Sequence, residues 1–354
     1  MASHASLETR RTTYYDALEA ENLGPLWLKL SGLVPAEPSP KARPFKWSFD
    51  EIRPRLLEAG DLITAEEAER RVLVLNNPGL PGASRITDTL YAGLQLIMPG
   101  EIAPAHRHTQ SALRFVIEGT NAFTSVAGER TSMHPGDFII TPAWEWHDHG
   151  SEADGPVIWM DGLDVPLVSY LGVGFREEHN SKAQIVSRPD GFAAAKYGSG
   201  LLPLESRSRP TSPIFNYPYA RTREALHILA QGEDPDPHHG HVLRFVNPTN
   251  GDWAIPTIAA SMRLLPRGIA TAPYRSTDGA VLVLVEGRLR ARVGDASFIL
   301  SAKDVLALPL WTPYHFEAIE ESVFFVFSDR PVHEKLGLWR EYKDALPGFG
   351  TESW

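Results

Sequence analysis

The stretch PAHRHTQSALRFVIEG, residues 104–119, sets two histidines two positions apart ahead of an apolar, β-prone run that closes on Gly119. In an extended strand successive side chains leave opposite faces, so His106 and His108 share a face and can grip one ion while Arg107 points away. Upstream, Gly100 precedes His106 by five intervening residues; downstream, Gly136 is followed by five residues, then Pro142, then His147. The surrounding text is a series of short β-rich runs cut by Gly, Pro and Asp: VLVL (72–75), LYAGLQLIMPG (90–100), SALRFVIEG (111–119), NAFTSVAGERTSM (121–133), DFIIT (137–141) and VIWMDGLD (157–164). Strands this short, spaced this evenly, indicate a sandwich or barrel.

The same grammar returns later as TIAASMRLLPRG (257–268), AVLVLVEG (280–287), RLRARVGDASFIL (288–300), DVLALP (304–309) and SVFFVFSD (322–329). Gly268 and Gly287 are spaced as Gly100 and Gly119 are, and Pro309, Trp311 and Tyr314 repeat the spacing of Pro142, Trp144 and His147. The chain is internally duplicated. The three ligand-type positions of the first half become Tyr274, Ser276 and Tyr314 in the second, so the second half is expected to be a structural barrel without a metal. His315 is one residue out of register with His147, which turns it to the other strand face.

The paired glycine–histidine spacings resemble the two cupin motifs, which implies small jelly-roll barrels with the histidines projecting inward. The expected fold is therefore all-β dominated: a bicupin of two jelly-roll barrels with an N-terminal helical arm. Two departures stand out: Ala112 takes the place where many cupins carry a glutamate ligand, and Trp144 replaces a usual glycine. The metal set reads as His106, His108 and His147 without a carboxylate, leaving open coordination positions and undiminished positive charge.

PAHRHTQSALRFVIEG, TPAWEWHDHG (141–150), WMDGLD (159–164), ERRVLVLNNPGL (69–80) and, in the second half, VLRFVNPTNGD (242–252) and ATAPYRSTD (270–278) together resemble the gentisate 1,2-dioxygenases, a family that includes salicylate and 1-hydroxy-2-naphthoate dioxygenases. The resemblance implies one Fe(II) per chain in the N-terminal barrel, a 2-hydroxybenzoate substrate with dioxygen, and ring cleavage between the carboxyl-bearing and adjacent hydroxyl-bearing carbons. Gentisate would give maleylpyruvate. Salicylate or a halo- or nitro-salicylate is the alternative substrate; a non-oxygenase cupin, an isomerase or ligand-binding protein, is the alternative function. A homotetramer also follows from the family likeness.

Arg114 lies an even offset from His108, on the same face of a regular strand, and the resemblance gives it the substrate carboxylate, which a guanidinium can hold through two parallel hydrogen bonds. Arg70 and Arg71 fall in a segment that in the family reaches toward the site, and one of them is expected to help; a solvated helix end is the competing reading. His149 shares the face of His147 and is placed to move a proton, and Asp161 resembles a position that orients this network. Gln110 on the nominal face of His106 and His108, and Tyr91 at a substrate-contacting position of the family, complete the expected substrate contacts. Packing alone would also explain both. DPDPHHGHVL (234–243), with His238, His239 and His241, reads as a solvated loop.

At 354 residues and 43% hydrophobic, the chain has room for two ordinary domains. Its formal charge of -10 and lack of a Lys/Arg block argue against nucleic acid. The absence of cysteine excludes disulfides, thiolate metal sites and a cysteine nucleophile. The opening residues lack a secretory pattern and no apolar run spans a membrane, so a cytoplasmic location is expected. The expected organisation is a helical and Pro-rich arm (1–70), a metal-binding barrel (71–190), a connecting segment (191–250), and a second barrel with a C-terminal helix (251–354).

Overall fold

The computed structural model describes residues 2–343. The arm ends sooner than the sequence suggests: the unit that closes at Ser39 holds the helix Ala2–Ala20, a 3₁₀ turn at Leu26–Leu28 and a helical turn at Leu30–Leu33. From Pro40 the chain belongs to the second unit, which contains both barrels. The correction has a physical cause: residues 40–70 contain apolar side chains that the barrels bury, with Phe49 and Leu56 of the helix Phe49–Leu62 in the core.

Strands are numbered along the chain: β1 (Phe45–Trp47), β2 (Arg71–Val74), β3 (Tyr91–Ile97), β4 (Ile102–His108), β5 (Ala112–Glu118), β6 (Ala122–Val126) and β7 (Glu129–Met133). Then come β8 (Phe138–Thr141), β9 (His147–Ser151), β10 (Val157–Leu163), β11 (Arg176–Glu178) and β12 (Asn216–Tyr217). The first barrel closes a six-stranded sheet, β12-β8-β5-β10-β3-β2, over a five-stranded one, β11-β4-β9-β6-β7. The second half repeats the plan with β13 (His241–Arg244), β14 (Ala259–Leu265), β15 (Tyr274–Ser276), β16 (Ala280–Glu286), β17 (Arg288–Val293) and β18 (Ala296–Ser301). It continues through β19 (Val305–Leu308), β20 (Tyr314–Ala318), β21 (Ser322–Ser328) and β22 (Glu341–Lys343). Its sheets are β1-β19-β16-β21-β14-β13 and β18-β17-β20-β15-β22. The segment 191–250 does more than connect, since it lends β12 to the first barrel and β13 to the second. The expected C-terminal helix is represented among the described residues by the short Arg330–Lys335; residues 344–354 lie outside them.

The duplication extends to unusual backbone geometry. Trp144 and Trp311 both adopt left-handed backbone, with φ of 62° and 54°. Each donates its backbone N–H to the strand ahead of it, Trp144 to the His108 carbonyl and Trp311 to that of Ser276, at 2.7 and 2.6 Å. Arg107 lies over the Trp144 ring at 4.4 Å and Arg275 over Trp311 at 4.7 Å, so a cation–π contact holds each strained turn. At Gly119 the requirement for glycine is steric as well: φ is +88°, and a Cβ would stand 2.7 Å from the Pro156 carbonyl.

The two barrels share one apolar core. The outward faces of β5 and β10 meet the corresponding faces of β16 and β21, with Phe115 stacked on Phe325 at 4.4 Å between centroids. A separate cluster of Ile97, Val116, Ile139, Val157 and Trp159 fills the bottom of the first barrel. Alternation along each strand thus divides the first barrel cleanly: Leu94, Phe115 and Met160 face the second barrel, and Gln95, Arg114 and Asp161 face the interior.

Candidate metal centre

The antiparallel register sets His106 directly across from His147 on β4 and β9, and a bulge just before His106 adjusts its aim. His108 follows on the same face. The ring centroids are 4.3 Å apart for His106–His147, 4.8 Å for His108–His147 and 5.3 Å for His106–His108. One ligand atom from each imidazole falls within 4.8 Å of the others, the spacing of donors around a single ion.

Which nitrogen each ring offers follows from what holds the other. The Nδ1 of His108 lies 2.8 Å from the Gln110 carbonyl, that of His147 2.9 Å from the Glu145 carbonyl, and that of His106 3.2 Å from the Pro104 carbonyl. A carbonyl can only accept, so for His108 and His147 the contact favours Nδ1–H and leaves Nε2 with its lone pair for a metal, while at His106 the Pro104 carbonyl competes with the Arg70 guanidinium, a donor 2.7 Å from the same nitrogen. Nε2 of His147 is buried and has no hydrogen-bond partner. Such an orphan is costly unless an ion satisfies it, and three neutral imidazoles fit a divalent transition metal. Burial first, and then neighbouring arginines, hold His106 down to about 3; burial, opposed by the Gln110 carbonyl, holds His108 at about 4. Burial and Arg114 hold His147 well below its ordinary value, so all three rings are uncharged at neutral pH, as ligands must be.

His149 stands outside the triad. It is fully buried, its ring 5.8 Å from that of His147, and its Nδ1 is 2.9 Å from the Thr124 hydroxyl on the adjacent strand. Arg114 and Asp161 are cross-strand partners on β5 and β10. The Arg114 Nη1 donates to the Thr141 hydroxyl at 2.5 Å, and its Nε lies 3.5 Å from Asp161, whose Oδ1 also accepts from the Trp159 indole at 3.0 Å. Burial lowers Arg114 to about 10, still a cation at neutral pH, and raises Asp161 to about 6 against the pull of Arg114. From its place on the interior face, the Arg114 charge opposes protonation of all four histidines.

The two candidate arginines separate. Arg70 reaches the site: its Nη2 donates to the Pro104 carbonyl at 2.7 Å and lies 2.7 Å from His106 Nδ1. Arg71 points to the other face, where it bonds the Ile63 carbonyl and pairs with Glu101, so its expected place beside the substrate is corrected. β4 ends at His108, so the alternation that was to carry Gln110 inward stops there; its carbonyl holds His108, and its side-chain amide lies against Gly174. Tyr91 is partly buried at the start of β3, its hydroxyl beside Gly93, and burial followed by the Asp161 charge pushes its pKa up, keeping the phenol protonated. A cleft of about 1000 Å³ lined by Trp146, His179 and Arg188 runs outside the barrel wall, and none of the three histidines lines it.

Residues 93–165 match the cupin domain family. Over 94% of this chain and 96% of its own length, gentisate 1,2-dioxygenase 1 of Aquipseudomonas alcaligenes is 49% identical. The chain belongs to the gentisate 1,2-dioxygenase family. The family's ring-cleaving oxidoreductases include a 5-aminosalicylate 1,2-dioxygenase of Comamonas sp., 32% identical over 97% of this chain and 93% of that one. The crystal structure of salicylate 1,2-dioxygenase from Pseudoaminobacter salicylatoxidans with gentisate superposes with a TM-score of 0.91 at 32% identity, covering 95% of this chain and 94% of that one. The bicupin fold read from the sequence is therefore the fold of a gentisate 1,2-dioxygenase family member.

For this gentisate 1,2-dioxygenase family chain the sequence reading omitted three interior residues. Gln95 is buried on β3 four positions after Tyr91, and Thr124 and Thr141 are buried beside His149 and Arg114. The even offset of Gln95 from Tyr91 was a usable signal. The threonines carried none, because their role depends on cross-strand neighbours distant in sequence.

Proposed function

We propose that the protein is an Fe(II)-dependent dioxygenase that opens gentisate between its carboxyl-bearing and adjacent hydroxyl-bearing carbons, giving maleylpyruvate with both oxygen atoms retained. The observation that carries this reading is the buried, unpartnered Nε2 of His147 grouped with the imidazoles of His106 and His108, beside a buried cation. His106, His108 and His147 would hold the metal, which would supply redox-active Lewis-acid chemistry toward the ring and dioxygen. Arg114, steadied by Asp161 and Thr141, is the carboxylate's partner, and burial strengthens that charge-assisted contact. Arg70 is the second cation; for His106 to keep its proton on Nδ1, the guanidinium has to leave that nitrogen, which frees it for an incoming carboxylate. His149, uncharged and bonded to Thr124, is placed to hold or pass a proton at the ring hydroxyl, and Tyr91 and Gln95 shape the wall.

Three further assignments belong to this reading. The leucines, Trp27 and Val34 exposed on the arm support a homotetramer built by arms packing on other copies. No helix of the described residues is long and apolar enough to cross a membrane, and we place the enzyme in the cytoplasm. Its partners are then a small aromatic acid and dioxygen alone.

The relatives that act on salicylates favour a second substrate class. Gentisate's para-hydroxyl donates electrons and eases ring oxidation, so kcat/KM for gentisate is expected to exceed that for salicylate by roughly tenfold or more, each tenfold being about 1.4 kcal/mol of barrier. Oxygen uptake with both acids measures it. Equal rates would shift the assignment to salicylates, and no uptake with either would remove the dioxygenase reading.

A further inference from the structure

The second barrel is not filled where the first holds its histidines. A cavity of about 310 Å³ opens there, walled in part by Tyr274, Ser276 and Tyr314. Tyr274 faces Tyr314 across β15 and β20 as His106 faces His147 across β4 and β9, with ring centroids 5.6 Å apart. The cavity is thus the internal counterpart of the metal centre, at the same end of the barrel.

Its charge has been relocated rather than lost. In the repeat register Leu282 stands where Arg114 stands and Val326 where Asp161 stands, so the ion pair of the first barrel is replaced by apolar side chains. A cation enters instead on β14: Arg263 occupies the place of Gln95. Its Nε is buried without a hydrogen-bond partner, and its Nη1 lies 3.3 Å from Nδ1 of His239. His239, expected in a solvated loop, lies instead against the cavity with its ring 4.6 Å from that of Tyr274. Burial and the Arg263 charge hold His239 at about 2, so it is neutral and does not compensate the guanidinium. Tyr314 lines the same cavity, close enough for the Arg263 charge to act on its hydroxyl.

The acidic groups of the lining have partners within the wall. Asp278 accepts from the Ser276 hydroxyl at 2.5 Å, and burial together with Asp329 raises its carboxyl. Glu334 is paired with Arg330 at 2.7 Å and accepts from the Trp253 indole at 3.0 Å. The sheet that carries Arg263 continues the wall through Ala259, Ala280 and Val326, small or apolar side chains interrupted by Ser261 and Ser328, and Trp253 and Trp339 also line the cavity. Of the three arginines in the lining, Arg330 is paired with Glu334 and Arg244 bonds the Gly251 carbonyl and lies over Trp253, which leaves Arg263 with the buried unpartnered nitrogen. One such cation with a phenol beside it matches a single carboxylate, and aromatic walls match a planar body; the volume is at the small end for ligand sites, too small for a nucleotide.

We propose that the cavity of the second barrel binds a small aromatic carboxylate, with its carboxylate on Arg263 and the Tyr314 hydroxyl and its ring against the apolar strands and the tryptophans. This site is separate from the ring-cleaving centre and does not depend on the substrate assigned there. Benzoate is the suitable probe, because it lacks the ortho-hydroxyl needed for chelation in the first barrel. Titrating the iron-loaded, oxygen-free enzyme with benzoate is expected to quench tryptophan fluorescence saturably, with Trp253→Phe reducing the amplitude. Arg263→Gln is expected to weaken the affinity at least about tenfold and leave kcat/KM for gentisate within about twofold of wild type. Arg114→Met should leave the benzoate response in place. Tyr314→Phe, which keeps the ring, is expected to weaken binding by roughly 2- to 10-fold and decides the matter if Arg263→Gln fails to fold. No saturable quench, a quench unchanged in the folded variants of Arg263 and Tyr314, or one abolished by Arg114→Met alone would overturn the proposal.

Discussion

His147→Ala is expected to yield a folded protein that keeps less than about a tenth of an equivalent of iron and has lost at least about a thousandfold in turnover, since the site must supply most of an acceleration that is roughly a millionfold or more in enzymes generally. His147 is the ring most fully enclosed, and its Nε2 is the one orphaned buried nitrogen of the triad. Removing it leaves His106 and His108, a two-point grip from one strand with no donor from across the sheet. A chelate that loses one arm loses affinity and preorganisation together. The barrel should survive, because the side chain's hydrogen bond is only to the Glu145 carbonyl two residues away. Metal analysis after anaerobic reconstitution, with circular dichroism to verify folding, checks this. An active variant at full iron occupancy would show that the metal is held elsewhere.

Arg114→Met should behave differently, retaining iron and losing about 2–3 kcal/mol of substrate interaction, which is roughly 30- to 150-fold in kcat/KM. Methionine fills much of the aliphatic volume of arginine, so the interior β5 position remains packed. It strands Asp161, which burial already raises to about 6; without the guanidinium the carboxyl rises further toward its protonated form. Arg114→Lys keeps the charge but not the fork and should fall between. Anaerobic iron binding paired with steady-state kinetics separates the two effects. Lost iron with unchanged kinetics per bound iron would assign Arg114 to the metal's support instead of the substrate.

Much of this was legible in sequence because β structure writes its faces into alternate positions. His-x-His and His149 two residues after His147 depend only on period two, and β9 is regular where His147 and His149 lie, whereas the offset of Arg114 from His108 crosses from β4 to β5, strands of different sheets, and its place inside comes from the pairing of β5 with β10. The duplication was legible for the same reason, since glycine and Trp-turn spacings are properties of one strand connection. Gln110 failed where periodicity does, one turn past a strand end. Arg70 and Arg71 could not be told apart from sequence because Arg70 precedes β2 and Arg71 opens it: only the pairing of Arg71 with Leu96 on β3 and the contacts of Arg70 with Pro104 and His106 show which one is inside. The arm was overestimated because helical periodicity in residues 49–62 does not reveal which surface buries its apolar face. The second-barrel cavity was invisible as well: Arg263 and His239 look unremarkable until β13 and β14 bring them beside Tyr274.

The central claim, one iron-dependent ring-cleaving centre per chain, is tested most directly by titrating metal-free protein with ferrous iron under anaerobic conditions and then measuring oxygen uptake with gentisate. Activity should rise linearly and saturate at one iron per chain, with one dioxygen consumed per gentisate and both atoms recovered in the product. Saturation at two irons per chain, or a ferrous-loaded protein that consumes no oxygen with gentisate, would contradict it.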